Sequence, residues 1–415
     1  MSNRSIHMTL GAMLLALFAL SWSATAQAAD PIKIGFSTSL TGGLASSGKA
    51  NLLAQQIWAE QINAKGGLLG RQVTLDYYDD QSSAAQVPGI YAKLLDVDKV
   101  DLLMGAATNL IVAAMPEIMQ RQKMVVVLLA LGSNDEFKYP RYFQTAAFGP
   151  DTKGVISNAF FEIAKTISPR PKTVAIVGAD ADFSNNAMTG ARANAKKDGF
   201  DIVYDRTYPP GTTDYAPIVR AIQATNPDLV FVASYPLDSV GIVRAASEVG
   251  LKTKMFGGAM VGLQYATFLQ QLAEKLDRVV NYHLYVPAPT MNFPGIEEFL
   301  KIYQARGAQA GTDPLGFYQP PFAYAAMQVI EQAVKATGTL DDGKLADYIH
   351  TNEFNTIVGN IRFDAKGEWV KSRLLMIQYQ NIDGGNLDQY RTPGKAVILY
   401  PPEYKDGTLQ QPFSQ

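Results

Sequence analysis

The chain has 415 residues, with 36 basic and 38 acidic side chains, three histidines and no cysteine. That length asks for two cores rather than one, and a net charge of −2 without basic runs leaves no footprint for nucleic acid or an anionic membrane. Without cysteine there is no thiol catalysis, cysteine zinc site, iron–sulfur cluster, disulfide or cysteine-linked lipid, and three histidines are too few for a multi-histidine metal centre.

Residues 1–28 read as a cleavable export signal. Arg4 supplies the positive start, Leu10–Leu20 an uncharged apolar run, and Ala26-Gln27-Ala28 the small-x-small cleavage pattern. The run of eleven residues is too short for the roughly twenty that span a bilayer. Cleavage near Ala28 leaves 35 basic and 38 acidic groups, a net of −3, in a soluble mature chain. A periplasm is the expected destination.

From Ile32 onward, short apolar strands alternate with amphipathic helices. Strands are expected at Ile32–Phe36, Val73–Tyr78, Val100–Met104 and Met124–Leu129, and again at Val174–Val177, Ile202–Tyr204, Leu229–Ala233 and Val279–Leu284. Between the first two, Ala50, Leu53, Ala54, Ile57, Trp58 and Ile62 recur at helical spacing until Gly66-Gly67. Such alternation predicts an α/β protein whose parallel sheets are built from right-handed crossovers, and two rounds of it predict two doubly wound lobes. Helical sequence returns at Pro294–Arg306, Phe317–Ala336 and Gly343–Asn352, and hairpin and strand at Asn360–Gln380. The chain is therefore expected to re-enter the first lobe near Pro287 and to leave it again around Arg373. This gives lobe I as 29–148 plus about 287–372, and lobe II as 149–286 plus about 373–415. The tail after Asn381 reads as irregular surface chain.

Two catalytic lookalikes fail on missing partners. Gly43–Ala50 (GLASSGKA) approaches a phosphate-binding loop, but Ala50 stands where a hydroxyl must ligate magnesium. What survives is a glycine-rich loop at a helix start. Ser46-x-x-Lys49 matches the serine–lysine pair of exported penicillin-recognising enzymes, yet the supporting Lys-Thr/Ser-Gly strand is absent. An exported serine hydrolase is thus the reading from a different class, and no catalytic residue, metal or cofactor is expected. Thr108-Asn109, after a strand and at the start of the helix Leu110–Gln122, combine N-cap residues with a dipole end that attracts carboxylates. Phe183 and Tyr235 each follow a strand of the second lobe, on the edge expected to face the first.

The string Ile62-Asn-Ala-Lys-Gly-Gly-Leu-Leu-Gly70-Arg71, followed by Asp79-Asp80-Gln81, resembles the branched-chain amino acid family of periplasmic solute-binding proteins of ABC transporters. Ile32-Lys-Ile-Gly with Leu40-Thr-Gly-Gly, the Thr213-Asp214-Tyr215 turn and the Gly359–Gly367 hairpin extend the resemblance over the mature chain. It implies a type I periplasmic binding fold with a three-crossover hinge, closing on a small solute that is handed to a membrane permease. Sensing on behalf of a membrane kinase or chemoreceptor is compatible with the same fold, and a monomer is the default.

The family's binding positions carry over one at a time. The hydroxyl that grips a ligand carboxylate falls at Thr108-Asn109, beside Ala107. The next ligand loop falls at Ala130-Leu131-Gly132-Ser133, and the first loop's hydrophobic contact at Ser47. The two closing tyrosines fall at Phe183 and Tyr235. The acid that pairs with a ligand ammonium falls at Ala259. An ammonium buried without a countercharge costs several kcal/mol. The resemblance therefore implies a small aromatic or branched apolar carboxylate, with leucine-like amino acids as the alternative if Asp180 or Asp182 replaces the missing charge.

Overall fold

The computed structural model describes residues 29–105 and 108–414, so the signal segment and Ala107 lie outside the described residues. In the first round, β1 (Ile32–Thr38), β2 (Val73–Asp79), β3 (Leu102–Met104), β4 (Val125–Val127) and β5 (Tyr142–Gln144) alternate with α1 (Ala45–Ala64), α2 (Val87–Asp96), α3 (Ile111–Gln120) and α4 (Ser133–Phe137). These strands form one sheet in the order β2-β1-β3-β4-β5, parallel at every pairing.

The second round runs α5 (Val155–Ala164), β6 (Thr173–Ala179), α6 (Asp182–Asp198), β7 (Asp201–Tyr208), α7 (Ala216–Ala224), β8 (Leu229–Ser234) and α8 (Pro236–Val249). It continues with β9 (Lys252–Thr253), β10 (Met255–Met260), α9 (Ala266–Leu272) and β11 (Val280–His283). Then come α10 (Ile296–Gly307), α11 (Pro320–Thr337), α12 (Asp342–Thr351), the hairpin β12 (Glu353–Thr356) and β13 (Gly359–Arg362), and finally β14 (Leu375–Tyr379), β15 (Ala396–Tyr400) and β16 (Phe413–Ser414). The second sheet has the order β15-β14-β11-β10-β8-β6-β7, with the β15–β14 and β14–β11 pairings antiparallel and the others parallel.

Strands β3, β4, β8 and β10 bury every residue, as parallel strands covered on both faces must. Helices α6, α8 and α11 end on left-handed Gly199, Gly250 and Gly338. Helices from late in the chain complete the first layer. Trp58 of α1 donates its indole N–H to Glu331 of α11 at 2.9 Å, and Glu60 pairs with Arg306 of α10 at 2.7 Å.

The chain passes between the two sheets after β5, after β11 and before β14. Two of these passages touch. The Arg373 amide donates to the Ala147 carbonyl at 3.0 Å, and the Arg373 guanidinium lies over the Phe293 and Trp369 rings, 4.4 and 4.8 Å from their centres. Gly149 has φ +79°, and a Cβ there would stand 2.6 Å from the Ser372 nitrogen.

Two strands and the tail depart from the sequence reading. No strand is read over Met255–Met260 because Gly257 and Gly258 are poor strand residues, yet both sit inside β10. A Cβ on Gly257 would meet the Val280 carbonyl oxygen at 1.6 Å, so β11 tolerates no side chain there. The short β5 also escapes the reading. The tail is not wholly irregular, since Ala396–Tyr400 pairs with β14 as the edge strand of the second sheet.

Gly149→Ala should destabilise the protein by about 2 kcal/mol, the usual cost of a left-handed conformation for a residue with Cβ, plus any displacement of Ser372. Chemical denaturation of both proteins measures it.

Candidate functional site

Because every parallel strand is followed by a crossover, the loops after the strands collect along one edge of each sheet. Here the two edges face one another across a cleft of about 440 Å³, within the range of small-molecule sites. The first layer contributes Gly43, Leu44 and Ser47 after β1, Ser82 and Ala84 after β2, Thr108 to Leu110 after β3, and Leu129 after β4. The second contributes Ala181 to Phe183 after β6, Pro210 after β7, Tyr235 to Asp238 after β8, and Val261 after β10. Tyr318 and Gln319, just ahead of α11, complete the lining.

Loops of the first layer are tied down by carboxylates. Asp79 accepts from the Leu40 and Gln81 amides at 2.8 and 2.9 Å and from the Thr41 hydroxyl at 2.7 Å. Against the upward push of burial, these bonds hold its carboxyl below the usual range. The buried Asp80 accepts from Ser37 and Ser39 at 3.2 and 2.6 Å.

Of the residues singled out in the sequence, Ser47, Thr108, Asn109, Phe183 and Tyr235 line this one cleft. Thr108 Oγ1 accepts the Leu110 amide at 3.2 Å, which leaves its own O–H free to donate, and Asn109 Nδ2 donates to the Leu131 carbonyl at 3.1 Å. The amides of Ile111, Val112 and Ala113 are taken up within the turn. The expected supply of free helix amides therefore shrinks to the hydroxyl and the dipole end. Ser47 is 5% exposed and bonded to the Tyr265 hydroxyl of the second layer. Phe183 and Tyr235 meet edge to face with ring centres 6.2 Å apart.

Leu131, Gly132, Ser133 and Ala259 are not among the lining residues. Leu131 bridges the layers instead, its carbonyl accepting from Asn186 of α6 at 3.1 Å. Gly132 holds φ +69° at the start of α4, and the Ser133 hydroxyl turns inward to Ala130 and Tyr142. Ala259 is fully buried inside β10, two residues before the lining Val261. Ser46 and Lys49, the hydrolase lookalike, lie exposed on α1 and outside the lining.

Acidic groups reach the cleft from elsewhere. Asp182 and Asp238 both line it, whereas Asp180 accepts from Asn185 and does not. Burial raises the Asp238 carboxyl in spite of hydrogen bonds from Tyr215 and Tyr208, the latter at 3.2 Å. In the sequence Asp238 passes for an ordinary first-turn acid of a helix opened by Pro236, so nothing local marks it. Tyr318 and Gln319 carry no sequence signal either.

A model of the family described as "Periplasmic binding protein" matches residues 31–386. The chain belongs to the periplasmic binding protein family. It has the type I fold, with two doubly wound α/β lobes joined by three crossings. A leucine-, isoleucine-, valine-, threonine- and alanine-binding protein of Pseudomonas aeruginosa is 22% identical, aligned over 86% of this chain and 92% of its own. A branched-chain amino acid substrate-binding protein of Streptococcus pneumoniae, solved with isoleucine, superposes with a TM-score of 0.71 at 22% identity, covering 86% of this chain and 97% of that one. A solute-binding protein of an R. palustris ABC transporter, solved with 4-hydroxybenzoate, gives 0.72 at 20% identity, covering 86% and 94%. No helix among the described residues is long and apolar enough to cross a membrane.

Two contacts of the receptor yield measurable expectations. Helix α6 has no cap from Ala181, and the Tyr235 hydroxyl accepts the Phe183 amide at 3.2 Å in its place. Tyr235→Phe should therefore cost about 1–2 kcal/mol in chemical denaturation. Between the lobes, burial pushes the Asp313 carboxyl up to about 6, although the Leu315, Ala266 and Gly316 amides donate to it. Its folded value lies above its unfolded one, so the folded state holds the proton more tightly. The contribution is full below the unfolded value, falls as pH rises toward 6, and is then gone. Asp313→Asn should remove this part of the slope when unfolding is measured from pH 4 to 7.

Proposed function

We propose that this receptor captures small carboxylates with an aromatic or branched apolar body and delivers them to an ABC permease. The carboxylate is held at Thr108 and Asn109, and the body lies between Phe183, Tyr235 and the Leu44, Leu110, Leu129 and Val261 side chains. The single observation that supports this is the cleft's division of labour: a free hydroxyl and a helix dipole at one wall and aromatic rings at the other. Residues 1–28 direct export and are cleaved near Ala28, and a monomer presents both lobes to the permease. Lobe I is 29–148 with about 287–372, lobe II is 149–286 with about 373–415, and the lobes close by rotation about the three crossings.

Leucine-like amino acids form the second reading, and one observation favours it. Asp182 and Asp238 line the cleft and could face an ammonium from the second lobe. Asp238 is less suited, since tyrosine hydroxyls already occupy it and burial favours its neutral form.

A thermal-shift screen of refolded protein, free of co-purified solute, separates the two. A ligand at 100 times its dissociation constant adds about 2.7 kcal/mol of stability. Shifts with leucine, isoleucine and valine but none with their deaminated or aromatic counterparts would overturn the carboxylate reading. Thr108→Ala with Asn109→Ala should weaken carboxylate binding by roughly 2–4 kcal/mol and leave the amide analogue far less affected. Equal losses for acid and amide would remove the grip from these residues.

A further inference from the structure

One backbone carbonyl ties the carboxylate grip to the opposite lobe. Leu131 follows β4, and its loop lies behind the lining rather than in it. Its carbonyl oxygen accepts two side-chain amides, Asn109 Nδ2 from the start of α3 and Asn186 Nδ2 from α6, each at 3.1 Å. A carbonyl oxygen has two lone pairs, so this one is fully spent. Asn109 belongs to the first lobe's wall of the cleft, and Asn186 lies one turn along α6 from Phe183 in the second lobe's wall. Asn186 is not itself among the lining residues, so its bond joins the lobes from outside the ligand space.

The oxygen is held in place by bonds that involve neither asparagine. The Ala130 amide donates to Gln144 Oε1, and Gln144 Nε2 donates in turn to the buried Glu368 at 2.7 Å. The Ser133 hydroxyl donates to the Ala130 carbonyl at 3.1 Å and meets the Tyr142 hydroxyl at 2.8 Å. Gly132 turns the chain at φ +69°, where a Cβ would stand 2.8 Å from Lys153 Cε. With the loop fixed from beneath, the two amides compete for one oxygen, and each weakens the other's bond. A carboxylate that accepts from Asn109 pushes charge into that amide and loosens its hold on Leu131. More of the oxygen is then left to Asn186, and the bond between the lobes tightens.

We propose that Asn186 is a positioning residue for lobe closure: its bond to the Leu131 carbonyl latches the lobes whatever the solute, and through the shared oxygen the state of Asn109 sets the strength of that latch. That a solute works this coupling rests on the carboxylate reading above; the latch and the shared oxygen do not. A second bridge, from Ser47 to Tyr265, joins the lobes at another point.

The chain has no cysteine, so Lys49→Cys on α1 and Thr213→Cys beyond β7, both at exposed positions, carry nitroxide labels alone. Electron–electron double resonance on refolded protein without added solute then reads the ratio of closed to open lobes. A neutral hydrogen bond is worth roughly a two- to tenfold change in an equilibrium, and Asn186→Ala should lower the ratio within that range. Asn186→Asp, which keeps the shape and loses the donor, should do the same. If the native lobes are closed throughout, both variants are read beside Tyr265→Phe, which removes the second bridge. A ratio unchanged by Asn186→Ala in both backgrounds, or a native protein showing the open distance alone, would overturn the latch. Asn109→Ala should raise the ratio while Asn186 is present and leave it unchanged once Asn186 is alanine. An Asn109→Ala effect that is equal in the two backgrounds would overturn the shared-oxygen coupling. No solute enters these measurements, so they fail or succeed independently of the carboxylate reading, which the thermal-shift screen decides.

Discussion

Everything in this molecule depends on the geometry of the parallel strand pair. Parallel neighbours cannot be joined by a tight turn, so each strand must be followed by a crossover, usually a helix, that covers a sheet face. The rule has two consequences here. Strands buried on both sides become continuous apolar runs, as in β4 and β8. The loops that follow them are forced to one edge, and two sheets with their edges opposed make a cleft lined from β1, β2, β3, β4, β6, β7, β8 and β10 at once.

The lobes meet through hydrogen bonds as well as through a continuous apolar core. Ser47 with Tyr265, Asn186 with Leu131, Tyr282 with Tyr318 and the Ala266 amide with Asp313 all join one lobe to the other. A neutral hydrogen bond contributes a net 0.5–1.5 kcal/mol or so. Contacts of that size can hold a closed form and still break when a ligand leaves. The crossings are built differently, with Arg373 buried between two rings and Gly149 pressed against Ser372.

Charge is placed sparingly around the ligand space. The acids nearest the first-lobe loops, Asp79 and Asp80, are consumed in holding those loops. Asp238 is screened by tyrosines, and the deep end is polar but neutral. Selectivity in such a site comes from which buried groups a ligand leaves unpaired, because an unmet buried donor costs more than a met one gains.

The sequence by itself determined the elements and their class. Periods of two and of 3.6 report local burial, and a strand such as Leu229–Ser234 announces itself with no knowledge of its neighbours. The string from Ile62 to Gln81 was enough to identify the family, and the positions of Thr108, Asn109, Phe183 and Tyr235 beyond strand ends were legible because parallel topology fixes where strand ends point. Other features depended on distant partners. Gly257 and Gly258 belong to a strand only because Val280 presses against the first and Phe231 against the second, and Ala396–Tyr400 is a strand only because β14 offers it an edge. Leu131, Ser133 and Ala259 stand at family positions yet lie behind the lining, whereas Asp238, Tyr318 and Gln319 reach it without any local signal. Tyr318 meets Tyr282, Gln264 and Phe183's wall across a lobe boundary, and no periodicity along a chain can encode which hydroxyls end up 2.6 Å apart. Local burial is written in the order of residues, but the pairing of buried polar groups is decided when the two layers close on each other.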